Sequence, residues 1–140
     1  MFKAPKLWLL TVFLLAGCPG QGDRLTPSET TTVKLSAQNV CFSVPYAEHY
    51  QPSIIIIAPR NTPPKERWYR NKPALNVKDG LLCLPPSFYA FKKQTPYIVE
   101  YALIPTRDTG SVASRHVVVG FELTNDTVRP LRLNDSEISQ

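Results

Sequence analysis

The stretch PSIIIIA, residues 52–58, carries four consecutive isoleucines between a proline and the turn residues that follow. A short, unbroken, β-branched run reads as a strand covered on both faces rather than as a helix, whose apolar residues would recur every three to four positions. The same grammar continues outward in both directions. Upstream, TTTVKLS (30–36) alternates and is β-branched, and NVCFSV (39–44) forms a second short apolar run. Downstream, ALNV (74–77) and LLCL (81–84) flank KDG, whose Asp79-Gly80 pair is a tight hairpin signal. YIVEYALI (97–104) and RHVVVGFEL (115–123) are joined by RDTGS, and VRPLRL (128–133) follows the TNDT turn. The segment between LLCL and YIVEYALI, PPSFYAFKKQTP (85–96), reads as a connection with room for one helical turn. PRNTPPKERWYRNKP (59–73) reads as a long loop or a broken edge hairpin, because Pro63 and Pro64 cannot serve a central ladder. No long segment has helical periodicity. The pattern predicts an all-β, immunoglobulin-like antiparallel β-sandwich of about seven to eight strands over residues 29–140.

The chain begins MFKAPKLWLLTVFLLAGC. Lys3 and Lys6 form a basic head, an apolar run follows, and Ala16-Gly17 supply small residues before Cys18, which is the organisation of a secretory leader. The run is shorter than the roughly 20 apolar residues a spanning helix needs. Leu15-Ala16-Gly17-Cys18 is similar to a bacterial lipobox, in which cleavage precedes the cysteine and the cysteine takes the lipid; the plainer alternative is an ordinary leader with an incidental cysteine. Residues 1–17 are therefore expected to be a lipoprotein signal peptide, and 18–28, rich in Pro, Gly and polar residues, a lipidated flexible tether. Attachment by more than one acyl chain is stable where a single chain is marginal. The expected location is the periplasm-facing bacterial envelope, the protein anchored in the lipid bilayer through Cys18. Pro19, standing where an inner-membrane retention signal would place Asp, favours the outer membrane.

With Cys18 committed to lipid, Cys41 and Cys83 remain. Both sit in short apolar strands that run into proline, in a compartment that oxidises thiols, and they are expected to form a disulfide between facing strands. The rival reading, a metal or redox pair, lacks a C-x-x-C motif, and His49 and His116 stand alone without ligand spacing. No metal and no cofactor is expected.

The chain has 16 basic and 11 acidic residues; losing Lys3 and Lys6 with the leader leaves 14 basic residues and a net charge of +3. The cations are scattered, with no run of five or six, so nucleic acid is excluded as the expected partner. Catalytic templates are absent: there is no G-x-S-x-G, no H-E-x-x-H and no Gly-rich phosphate loop. Ser114, Arg115 and His116 with Asp108 can be drawn as a triad, but a turn followed by a strand accounts for them. His49 reads as a solvated turn residue. No catalytic residues, and no enzyme, are expected.

Binding fits better. KERWYR (65–70) sets Trp68 and Tyr69 among Arg67 and Arg70 in a proline-stiffened loop. Those residue types dominate interface hot spots, and rigidity lowers the ordering cost of binding. Arg67, Trp68, Tyr69 and Arg70 are the expected partner-binding residues. For Trp68 a second reading stands beside this one: it folds back and caps one end of the sandwich. In SFYAF (87–91), Phe88 and Phe91 are expected to plug the core.

Taken in order, AGCPGQGDR, VCFSVP, DGLLCLPPSFY, YIVEY and VVVGFEL resemble a group of small enterobacterial lipoproteins described as type VI secretion immunity lipoproteins of the periplasm. The resemblance covers nearly the whole chain. It implies that the protein binds and neutralises a cognate toxin, an effector delivered into the periplasm by another cell. It carries over Cys18, Cys41 and Cys83 and no catalytic residue. The alternative is a structural or accessory cell-envelope lipoprotein, a β-sandwich module for a secretion-machine or envelope component.

Overall fold

The computed structural model describes residues 28–106 and 113–138. The expected leader, Cys18, the tether up to residue 27, Asp108 and the RDTGS turn lie outside them. Eight strands form two antiparallel sheets. The smaller sheet has the order β1-β2-β5, with β1 at Val33–Ser36, β2 at Asn39–Ser43 and β5 at Leu81–Leu84. The larger has the order β4-β3-β6-β7-β8, with β3 at Tyr50–Pro59, β4 at Trp68–Asn71, β6 at Pro96–Pro105, β7 at Arg115–Leu123 and β8 at Val128–Pro130. This is the all-β, two-sheet architecture with one disulfide that the sequence predicts.

The isoleucine run is central in its sheet, since β3 pairs with both β4 and β6, but it is not covered on both faces as the run predicts: Ile54 and Ile56 are only half-buried. Ile55 and Ile57 face the core with Val99, Tyr101, Leu103, Val119 and Phe121, and they meet Val40, Phe42, Leu82 and Leu84 from the smaller sheet. Ring packing of Phe42 against Tyr101 and Phe121 fills the middle of the sandwich. Ile54 and Ile56 point the other way, to the outer face of the larger sheet. Period-two alternation makes that split unavoidable.

Two details depart from the sequence reading. Residues 74–77 do not form a strand. Lys78 and Leu81 bridge around Asp79 and Gly80, whose φ values of 53° and 75° suit a tight turn, but the ladder stops there. The eighth strand comes instead from WYRN, β4, which follows a 3-10 turn at Pro64–Glu66. The cysteines are not on facing strands. Cys41 and Cys83 are register partners on neighbouring β2 and β5, within one sheet, with Cα atoms 4.0 Å apart. The Val44 N–H to Gly80 carbonyl bond fixes the ladder phase, which makes Cys41↔Cys83 a non-hydrogen-bonded pair, the closer of the two kinds. Val40, Phe42, Leu82 and Leu84 fill the core, so alternation sends both sulfurs to the outer face of the smaller sheet.

Both ends of the described residues reinforce the β7 side of the larger sheet. Glu29 bridges to Val117 through two backbone bonds, its N–H to the His116 carbonyl and the Val118 N–H to its own carbonyl. Its carboxylate receives Arg115 at 2.7 and 2.8 Å. Beyond β8 the chain folds back over the outer face. A side chain at Gly120 would come within 3.1 Å of Leu133, so glycine permits this close approach. The short helix α1, Asp135–Ile138, is fastened by a two-pronged Arg60–Glu137 pair. One half of the outer face, over β7, is thereby covered. The half over β3, β4 and β6 is open.

Candidate functional site

The open half is the candidate site. Its residues come from the out-facing positions of three strands. β3 supplies Ile54 and Ile56, β4 supplies Tyr69 and Asn71, and β6 supplies Glu100, Ala102 and Ile104. Tyr69 is 59% exposed and Ile104 43%, two of the three large hydrophobic residues that are most exposed among those described.

In the middle of this apolar face lies a charge. Glu100 is 7% exposed, the one buried charged residue of the described chain. A buried carboxylate needs partners, and it has two. Arg67 Nη1 donates to Oε2 at 3.2 Å, and His116 Nε2 lies 3.2 Å from Oε1. A carboxylate accepts, so Nε2 carries the proton. On the other side of the ring, Nδ1 lies 2.8 Å from the Ser28 hydroxyl. Arg67 is itself oriented by its Nε–H bond to the Thr62 carbonyl, 3.0 Å.

The row Ser28–His116–Glu100 has the order of a nucleophile, a base and an acid; it shares His116 with the triad that can be drawn from the sequence, but it uses Ser28 and Glu100 rather than Ser114 and Asp108. Two features argue for a structural lock. Arg67 already neutralises Glu100, and the hollows beside the cluster open on the Arg67–Glu100 side, away from Ser28. One, of about 170 Å3, lies between Pro59, Arg67, Ile98 and Glu137. The other, of about 360 Å3, lies between Ile54, Ile56, Pro64 and Tyr69. Among the described residues no group of three or more His, Cys, Asp or Glu side chains is placed to hold a metal. His49 is exposed in its turn, and its carbonyl accepts from Thr106.

The four expected binding residues divide between two faces. Arg67 and Tyr69 belong to the open outer face. Trp68 and Arg70 pair with Ile57 and Ile55, and so lie on the inner side. Trp68 packs edge-on against Phe88 at 5.4 Å and Tyr89 at 5.1 Å. Arg70 stacks 5.4 Å from both the Trp68 and Phe88 rings. Trp68 therefore caps the rim of the sandwich, and the exposed aromatic of this segment is Tyr69. Phe88, Tyr89 and Phe91 pack against the core, joined to Tyr97 and Phe121. Sequence reasoning missed Glu100, and it weighed His116 only as a lone histidine or a member of a triad it set aside. The signal for Glu100 was present: a lone acid inside YIVEYALI, at a position that alternation sends outward. Nothing local connects it to Arg67 or His116.

A family model described as a domain of unknown function, DUF7480, matches residues 28–126, about seven-tenths of the chain. The chain belongs to the DUF7480 family. No curated protein and no solved structure matches it. The DUF7480 span opens at Ser28, the first residue of the hydrogen-bonded row, and ends before β8. It contains Arg67, Tyr69, Glu100, Ile104 and His116, so the open face lies wholly within the DUF7480 match. The covering segment of Leu131, Leu133 and α1 lies outside it.

Proposed function

We propose that this protein is a lipid-anchored envelope module that binds a protein toxin on the periplasmic side of the membrane and neutralises it. The observation that carries the protein-binding part is the open outer face. It exposes Tyr69 and Ile104, and its one buried charge is already paired internally. Protein interfaces are built on Tyr, Trp and Arg anchors in apolar surroundings. The leader and lipobox in the sequence support the location, and the disulfide suits an oxidising compartment. The resemblance to immunity lipoproteins supports the toxin as partner.

The test is protection. The product of the adjacent gene is sent to the periplasm of a test strain with and without this protein, and survivors are counted. Rescue is expected, together with its loss in Ile104→Asp, a variant at an exposed position that leaves folding intact. A toxic neighbour that this protein fails to counter would refute the reading and leave the accessory envelope module in its place. Cys18→Ser is expected to move the protein out of the membrane fraction; continued membrane fractionation would refute the lipid anchor.

A further inference from the structure

The free edge of the larger sheet is β4. The bond from the Lys72 N–H to the Ser53 carbonyl sets the ladder phase with β3. In that phase Trp68 and Arg70 spend their backbone groups on β3, while the N–H and C=O of Tyr69 and Asn71 point away from the sheet. No described residue pairs with them. Natural sheets blunt such edges, because a row of unpaired backbone groups is a template for another strand. Here β4 is short, with Pro63, Pro64 and Pro73 on either side, and the edge itself carries positive charge. Lys65, Arg70 and Lys72 are exposed along the edge against a single exposed acid, Glu66. A second copy of this chain would bring one basic strand against another. β4 also lies at the opposite side of the sheet from the Glu29 bridge on β7.

We infer that β4 is a strand-addition site, which takes an extended acidic segment of the partner protein as a sixth strand of the larger sheet. Backbone bonds to Tyr69 and Asn71 supply the affinity. The basic flanks select acidic side chains. The partner's neighbouring surface covers the open face beside Tyr69, Ile54 and Ile104. This is the division of labour by which extended peptides join exposed sheet edges, with main-chain bonds for affinity and side chains for specificity. It deepens the toxin-binding reading, and it rests on that reading for the identity of the partner.

The test uses the full lipidated chain in nanodiscs and reads amide hydrogen exchange over residues 68–72. The probes are two capped hexapeptides, one alternating valine with aspartate, the other valine with lysine. At a concentration about ten times its Kd, the aspartate peptide is expected to slow exchange of the Tyr69 and Asn71 amides about tenfold. The lysine peptide is expected to leave them unchanged. Tyr69→Pro removes one outward N–H at an edge position where proline is tolerated, and abolishes the effect; Tyr69→Phe retains it. Lys65→Glu with Lys72→Glu, which disturbs no backbone bond to β3, reverses the preference to the lysine peptide. Unchanged exchange at 68–72, equal slowing by both peptides, or concentration-dependent slowing without any peptide each overturns the inference. The two proposals fail separately. Rescue by a Tyr69→Pro variant that retains its fold removes the strand addition and leaves immunity standing. Selective slowing by the aspartate peptide in a protein that rescues nothing removes the toxin and leaves the edge.

Discussion

Replacing both Cys41 and Cys83 by alanine isolates the contribution of chain connectivity. The bridge joins register partners 42 positions apart. Its sulfurs face away from the core cluster, which contains Val40, Phe42, Leu82 and Leu84 but neither cysteine. The double substitution therefore removes little core packing, and alanine leaves no polar group at Cys41, which is 0% exposed. What remains is the entropy the open chain regains when unfolded. For a closed loop of this length the chain-entropy relation gives about 4 kcal/mol. In a domain of roughly 110 residues, about 1 kcal/mol moves the midpoint by about 4 °C, so the expected fall in Tm is about 15 °C. The assay is thermal unfolding of the full chain, wild type against the double variant, with reductant as a second route to the same state. Hydrogen exchange should locate the loss at β5, which has four residues and pairs with β2 alone in that sheet. A fall of less than about 5 °C, with β5 still protected, would refute the reasoning: the unfolded chain would then be restrained without the bridge.

Trp68→Ala should lower stability by about 2 kcal/mol through lost ring packing against Phe88 and Tyr89, whereas Tyr69→Ala should leave Tm nearly unchanged; equal losses would show that the two faces of β4 were misassigned. Tyr101 is 1% exposed, burial pushes its phenol pKa well up, and its hydroxyl has no hydrogen-bond partner among the described residues. Tyr101→Phe removes that unsatisfied group and should stabilise the fold by about 1 kcal/mol, with a clear fall in Tm as the contrary result. The bonded Arg115 guanidinium holds the Glu29 carboxyl below its ordinary 4.5, against a smaller opposing effect of burial, and Arg60 does the same for Glu137. A depressed carboxylate contributes stability above its unfolded pKa and loses it as pH falls through the folded one. Tm should therefore be insensitive to these pairs from pH 7 to 5 and decline below about 4.5, and Glu29→Gln should flatten part of that decline. An unchanged acid limb in the variant would show that the pair does not contribute.

The individual strands were legible because each rests on local signals. IIII and VVVGF are β-branched or aromatic runs, Asp79-Gly80 turns the chain, and two cysteines in short apolar runs find each other. Alternation even specified which residues share a face, so the outward position of Glu100 followed from YIVEYALI alone. Where local signals were weak the reading slipped. ALNV has strand-like residues but no neighbour to complete a ladder, while WYRN, hidden among prolines and cations, became a strand because β3 offered it an edge.

What the sequence by itself determined is thus the all-β class, the core-facing residues of each strand and the presence of a bridge. The tertiary structure alone decided the rest: that Cys41 and Cys83 are neighbours within a sheet, that Trp68 turns inward and Tyr69 outward, and that Arg67 and His116 meet on Glu100. Arg67 and Glu100 are 33 positions apart, and Ser28 and His116 are 88. Such contacts depend on strand order and register, which are set by the summed burial of whole strands. No local preference of the residues involved encodes them.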